Sequence, residues 1–294
     1  KDEEKMTGNK NKKLIIAFMC PALAVMIFFF ALPVAMTIFY SFTNLSLTGS
    51  KAANLEFTGL QNYVRLFKDT AVKGALVRTL IFTVSSVIGQ NILGFTIAYL
   101  MQKKNSLFRK ITGPVFLAAW VMPEVVSAVC VYSFFTDKGT LNAILAVIGI
   151  KKISWLYKMP MFAIIVGNIW RGTAYSMMVY QAALDNVSGD VKEAAQIDGA
   201  GKLQTILYVV VPLIKNTIMT NAMLTTLMTL GAFGFIWIIT AGGPGDATQT
   251  LPILMYQKAF KNYELGYGTA ISMILLLVSA IFGLIYTKMN GKEA

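Results

Sequence analysis

Six long apolar runs alternate with shorter polar segments along the 294-residue chain. The runs cover residues 14–40, 79–101, 113–135, 161–181, 216–240 and 266–287. Four of them contain no charged residue, and the other two contain one each, Glu124 and Arg171. About 20 mostly apolar residues cross the hydrocarbon layer as a helix, because a helix satisfies its own backbone hydrogen bonds. The pattern therefore predicts an all-α polytopic membrane protein with six transmembrane helices.

The composition agrees with this prediction. Hydrophobic residues make up 56% of the chain and charged residues only 14%, whereas soluble proteins carry roughly 25% charged residues. The first run, 14–40, could instead be a signal peptide, because a basic tail precedes it. Its length and the lack of a small-residue cleavage site after it favour a retained helix.

Basic residues indicate how the chain is oriented in the membrane. An even number of spans puts both termini on one side. If that side is cytoplasmic, the inner segments hold 14 Lys and Arg in 65 residues and the outer segments hold 11 in 88. Because Lys and Arg are enriched in cytoplasmic loops, we expect cytoplasmic tails at 1–13 and 288–294 around a membrane domain at 14–287.

Several function classes are disfavoured. Histidine is absent, and the two cysteines, Cys20 and Cys130, both lie in apolar runs, which argues against metal sites, disulfide frameworks and His-dependent hydrolases. A membrane-embedded enzyme would need a clustered catalytic set, yet Glu124 is the single acid in the runs. A stand-alone ion-coupled carrier would usually show internal repeats, and we find no convincing repeat. We expect no catalytic activity, metal or cofactor in this chain.

The segment 182–215 differs from a plain connector. Asp190 and Glu193 have the spacing of a capping box, which predicts a short helix from Val191 onward. Gly199 can adopt the positive φ that often ends a helix. We expect a second helix from near residue 200 into the fifth run, with a bend at Pro212.

A specific motif lies in this segment. Glu193, Ala194, Ala195 and Gly199, followed by Val209 and Val211-Pro212, resemble the EAA signature of permease subunits of binding-protein-dependent ABC importers, with Val in place of the usual Ile and Leu. Segments 57–69, 155–178 and 240–248 are similar to the carbohydrate-uptake branch, in particular to the first permease of maltose and glycerol-3-phosphate importers. The resemblance covers nearly everything from residue 57 onward.

The resemblance implies an ABC importer type I permease fold with a cytoplasmic EAA coupling helix. It implies a heterodimer with a second permease subunit, two ATPase subunits that bind ATP and Mg²⁺, an extracellular substrate-binding protein, and the cell membrane of a bacterium or archaeon. The chain itself has no G-x4-G-K-[ST] motif for ATP. The residues expected to dock on the ATPase are Glu193, Ala194, Ala195, Asp198 and Gly199. The outer segments 57–69, 136–160 and 242–246 are candidate contacts for the binding protein, with 136–160 predicted as an interfacial helix.

Polar residues inside spans usually face the bundle or water, and two stripes with helical spacing predict a substrate path. Their members are Asn168, Arg171, Gly172, Tyr175, Thr225, Met228, Thr229 and Ala232. We expect Gly172 to leave space for a ligand, Tyr175 to stack on a sugar ring and Asn168 to donate and accept hydrogen bonds. The resemblance supports these roles, since the family's sugar sites are lined by the same two spans. Helix packing alone would also explain the threonines.

Three explanations of Arg171 stay open: an ion pair with Glu124, contact with an anionic substrate group, or a water-filled cavity. Gln90 and Asn91 are expected to bridge helices. The predicted function is import of a sugar or oligosaccharide. The alternative is import of another polar solute, such as glycerol-3-phosphate or an acidic sugar.

Overall fold

The computed structural model describes residue 16, residues 18–102 and residues 104–290. Within these residues the chain is almost wholly helical, and β pairing is confined to one isolated bridge between Thr43 and Phe57. The chain forms two compact units. The first unit contains the residues up to Lys68 and Met255–Met273, and the second contains Asp69–Leu254 and the residues from Ile274 onward.

Fifteen helices are named here in chain order. They are α1 (Phe18–Ser41), α2 (Ser50–Ala53), α3 (Gln61–Lys68), α4 (Thr70–Gln102), α5 (Ser106–Val121), α6 (Glu124–Phe135), α7 (Thr140–Val147), α8 (Trp155–Lys158), α9 (Pro160–Asp185), α10 (Gly189–Ile197), α11 (Lys202–Leu213), α12 (Lys215–Leu230), α13 (Gly234–Thr240), α14 (Leu251–Tyr256) and α15 (Leu265–Asn290). A π-helical turn, Ile206–Val210, lies inside α11.

Some of these helices are long enough to cross a membrane. Among the described residues, α1, α4 and α15 are each long and apolar enough to cross a membrane, and five spans result if each of two bent helix pairs is counted as one. The fourth apolar run forms one continuous helix, α9, although polar residues such as Asn168 lower its hydropathy. The prediction of helices at all six runs is confirmed, but two of the runs are not single straight helices.

The third run, 113–135, breaks between α5 and α6, and the helix axes on either side meet at 98°. Pro123 lies in the break. Because a proline lacks an N–H and forces the residue before it out of the helical region, Met122 has an extended backbone with ψ 128°. The third run is therefore two helices joined by a sharp bend rather than one continuous helix.

The fifth run, 216–240, breaks at residues 231–233, between α12 and α13. A second bend, of 74°, separates α11 from α12 at Ile214, two residues after Pro212. The predicted bend near Pro212 is confirmed. The break at 231–233 was not predicted.

The loop 182–215 folds nearly as expected. The short helix α10 begins at Gly189 rather than Val191, and its N-cap, Ser188, makes no side-chain capping bond, so the capping-box prediction is wrong. Asp190 lies in the first turn, where a carboxylate favours the helix dipole. Gly199 ends the helix with φ +84°, as predicted, and the N–H of Ala200 donates to the carbonyl of Ala195 at 2.9 Å.

Close packing of α4 against α9 organises the second unit. Gly89 and Gly94 of α4 lie directly against Ile169 and Ser176 of α9, so a Cβ at either glycine would overlap its neighbour. Small residues allow such close approach between membrane helices.

Two peripheral regions complete the described structure. The predicted interfacial helix at 136–160 is two short helices, α7 and α8, joined through the Asn142 side chain, which bonds to Ile153 and to the Trp155 indole. In the first unit, Arg65 forms a double hydrogen bond with Glu264 at 3.0 and 2.9 Å.

The predicted tail at 1–13 lies outside the described residues. At the other end, α15 extends into the predicted tail at 288–294, as far as Asn290.

Candidate functional site

A cavity of about 370 Å³ lies inside the second unit, within the size range of small-molecule sites. All eight residues predicted for the substrate path line it: Asn168, Arg171, Gly172, Tyr175, Thr225, Met228, Thr229 and Ala232. Four further residues complete the lining: Gln90, Trp120, Glu124 and Gly231. The predicted stripes therefore converge on one space. Their role in substrate binding stays a prediction.

The α9 side of the cavity is held by α4. The Gln90 amide donates to the Asn168 carbonyl at 3.0 Å, which confirms the prediction that Gln90 bridges helices. Gly172 lies against the same amide, and a Cβ there would overlap it. The small size of Gly172 therefore accommodates Gln90 at the cavity wall, and its role in leaving space for a ligand stays a prediction.

An aromatic pair forms another part of the wall. Trp120, near the end of α5, lies against Tyr175 of α9 with ring centroids 4.7 Å apart and an interplanar angle of 31°. No distinctive signal in the sequence marks Trp120, because aromatic residues are common in apolar runs. The nearby Met122-Pro123 pair, read as a helix break, would have identified the end of α5 as a cavity wall.

The two charged residues of the spans line the same cavity but do not pair. Glu124 Oε1 accepts the N–H of Phe235 at 2.8 Å. Among the residues that the structure describes, no carboxylate oxygen lies within 4.0 Å of an Arg171 side-chain nitrogen. The hypothesis of an Arg171–Glu124 ion pair is therefore wrong, and an aqueous cavity or an anionic ligand remains.

The α12 side of the cavity combines buried and open positions. Thr225 and Thr229 are buried, whereas Met228 is 53% exposed. Ala232 lies beyond the end of α12, in the break, and its N–H donates to the Thr229 carbonyl at 3.1 Å. The predicted helical spacing therefore fails at Ala232, although the residue still reaches the cavity.

A polar cluster joins three helices beside the cavity. We call it the three-helix cluster; its members are Asn91 of α4, Ser176 and Tyr180 of α9, and Asn221 and Thr225 of α12. Asn91 Oδ1 accepts from the Tyr180 hydroxyl and, at 2.9 Å, from the Asn221 amide. The Asn91 amide donates to Thr225 Oγ1 at 3.3 Å. The prediction that Asn91 bridges helices is confirmed, and Thr225 contributes to helix packing as well as to the cavity.

The predicted ATPase-docking residues lie on and just after α10. Glu193, Ala194, Asp198 and Gly199 are exposed, and Ala195 is half-buried. The side chain of Ile197 is 86% exposed. Lys192 anchors the helix by donating to Gln102 Oε1 at 3.3 Å, at the end of α4. Small and apolar groups at an open surface are consistent with a docking surface, and their contact with an ATPase stays a prediction.

Comparison with known proteins gives the family. Residues 90–292 match the model of the binding-protein-dependent transport system inner membrane component. The chain belongs to this family. It is similar to the probable ABC transporter permease protein YurN of Bacillus subtilis, with 30% identity over 97% of this chain and 99% of that protein. It is also similar to the multiple sugar-binding transport system permease protein MsmF of Streptococcus mutans, with 30% identity over 94% of each.

The fold of this chain also occurs in solved structures. A chain in the crystal structure of a bacterial alginate ABC transporter, in complex with an alginate pentasaccharide-bound periplasmic protein, superposes with a TM-score of 0.81. The match has 21% sequence identity and covers 97% of this chain and 96% of that chain. The protein is thus a multi-pass inner-membrane transport component with the all-α importer permease fold that the EAA motif predicted.

Proposed function

We propose that this permease carries a sugar or oligosaccharide across the membrane, as one subunit of an ATP-driven importer. The observation that carries the proposal is the convergence of all eight predicted substrate-path residues on one cavity between α4, α9 and α12. The similarity to MsmF, a multiple sugar-binding transport system permease protein, supports a saccharide substrate.

The cavity has the chemistry that a saccharide needs. The Trp120–Tyr175 pair offers aromatic surface beside polar groups, and a sugar ring presents apolar C–H faces to such rings. Gln90, Asn168 and Thr229 bring amide and hydroxyl groups that can both donate and accept hydrogen bonds, as sugar hydroxyls do. The lining is a mixture of both types, so the site binds a ligand that is itself amphipathic.

Energy for transport comes from partner subunits in this proposal. The exposed face of α10 docks on one of two ATPase subunits, which bind ATP and Mg²⁺, and α11 and α12 carry movement of α10 toward the cavity. A second permease subunit completes the pathway, and an extracellular binding protein delivers the substrate. ATP binding then favours an outward-open state by population shift. Both termini are cytoplasmic, as the distribution of Lys and Arg supports.

Reconstitution tests the proposal. The complete importer is placed in proteoliposomes with its binding protein, and ATP hydrolysis is measured with a panel of oligosaccharides, polyols and sugar phosphates. We expect at least one saccharide to stimulate hydrolysis and to accumulate inside the vesicles. If no saccharide in the panel stimulates hydrolysis, the saccharide assignment is wrong.

A further inference from the structure

The negative charge of the cavity is compensated within the protein. Glu124 is the first residue of α6, where the helix dipole favours a carboxylate. The same side chain accepts the N–H of Phe235 in the first turn of α13. The start of α6 and one N–H group of α13 thus stabilise the Glu124 carboxylate, which forms no ion pair with Arg171.

The positive charge of the cavity has no such compensation. Arg171 is half-buried in the middle of α9. Within the described part of the chain, its Nε is buried without a hydrogen-bond partner, and no carboxylate lies within ion-pair distance. An ionised side chain inside a membrane span is costly and normally pairs with another group or faces a cavity that conducts a solute. Because Arg171 lines the cavity, a cation without an ion-pair partner among the described residues faces the proposed substrate.

We propose, on the basis of the proposed function, that Arg171 binds an oxyanion carried by the transported solute, so that the substrate class is an acidic saccharide or polyol. A guanidinium is a planar fork that matches carboxylate, sulfonate and phosphate groups with two parallel hydrogen bonds. The aromatic pair Trp120 and Tyr175 lies along the same wall, where it would stack on the ring that carries the anion. In this proposal Arg171 recognises the negative charge of the ligand, and Trp120 and Tyr175 recognise its ring.

A binding measurement on matched ligands tests this inference. The complex of two permease and two ATPase subunits, in lipid nanodiscs and without the binding protein, is titrated with two ligand pairs. One pair is cellobiose and its uronic-acid analogue, and the other is glycerol and glycerol-3-phosphate. We expect the acidic member of at least one pair to bind roughly tenfold more tightly or better, as a charge-assisted bidentate contact implies.

Variants connect this preference to Arg171. Arg171→Gln should remove the preference for the acidic ligand, and Arg171→Lys should retain part of it, because an ammonium keeps the charge without the fork. The control is Arg109→Gln, which removes the same charge from an ion pair with Asp185 outside the cavity. The control should leave the preference unchanged.

Stability separates a ligand contact from a structural role. Without ligand, Arg171→Gln should melt at the same temperature as the wild type or higher, because the substitution removes a charge that has no ion-pair partner among the described residues. A clear fall in the melting temperature would overturn the inference, as would equal binding of neutral and acidic ligands or an unchanged preference in Arg171→Gln. In those cases binding of a neutral saccharide would leave the proposed function intact. Failure of every saccharide and polyol to bind would remove both.

Discussion

Small residues occur in two regions of this permease, and they do opposite things. On α4, Gly89 and Gly94 are small because α9 lies directly against them. On and just after α10, Ala194 and Gly199 are exposed, and a Cβ added at Gly199 would meet no atom within 4 Å. The first set completes an interface inside the chain, whereas the second leaves a smooth exposed surface, for which we propose a contact with an ATPase. Small residues therefore accompany close packing in one region and an open surface in the other.

Gly94→Ala should have one of the two largest effects on stability. The new Cβ would lie 2.5 Å from the Ser176 Cβ and 2.9 Å from the Met177 backbone nitrogen, so the two helices would have to separate. Overpacking of this kind costs about 1–3 kcal/mol, more than the roughly 1 kcal/mol that alanine gains over glycine in a helix. We expect a lower melting temperature of the purified permease complex.

A matched glycine provides the control for this prediction. Gly113 lies inside α5, and a Cβ there would meet no atom within 4 Å. Gly113→Ala should be neutral or slightly stabilising. If the two variants melt alike, close α4–α9 packing is not the reason for the glycine at 94.

Asn91→Leu should have an effect of similar size, because it removes the centre of the three-helix cluster. The Tyr180 hydroxyl and the Asn221 amide would lose their shared acceptor, and an unsatisfied buried polar group costs about 1–3 kcal/mol. Thermal unfolding of the complex measures the loss. The exposed Asn216 at the start of α12 offers the same substitution without a side-chain partner, and Asn216→Leu should change stability by less than about 0.5 kcal/mol. Equal effects would show that the cluster does not stabilise the bundle.

Glu193→Lys should have the smallest effect on stability and a large effect on transport. The side chain is exposed on α10, and surface substitutions usually change stability by less than about 0.5 kcal/mol. If α10 docks on an ATPase, the reversed charge should uncouple ATP hydrolysis from uptake while the subunit still inserts. Proteoliposome uptake and ATPase rates, measured together, test this. Normal uptake would remove Glu193 from the docking surface.

The sequence predicted side-chain positions better than it predicted helix continuity. Asn168, Arg171, Gly172 and Tyr175 reached the same cavity because α9 is unbroken and a helical spacing of three and four residues keeps them on one face. The breaks at Pro123 and at 231–233 were not predicted, because an apolar run shows only that a segment is hydrophobic. A helix break also requires hydrogen-bond partners for the backbone groups that leave the helix, and a run does not show where those partners lie.

Glu124 shows why such hydrogen-bond partners cannot be predicted from neighbouring residues in the sequence. Its carboxylate bonds to Phe235, 111 residues further along the chain, and no spacing rule connects two such positions. The capping-box prediction at Asp190 failed for a related reason. A pattern of four residues describes one possible local hydrogen bond, whereas the observed helix begins after Ser188 without a side-chain cap.

The bond between Glu124 and Phe235 also has a consequence for biogenesis. During synthesis the third apolar run reaches the membrane well before Phe235 has been made, so its carboxylate enters without that backbone partner. A charge at mid-span resists partition into lipid. The third run should therefore partition into lipid less readily before α13 is present than after it.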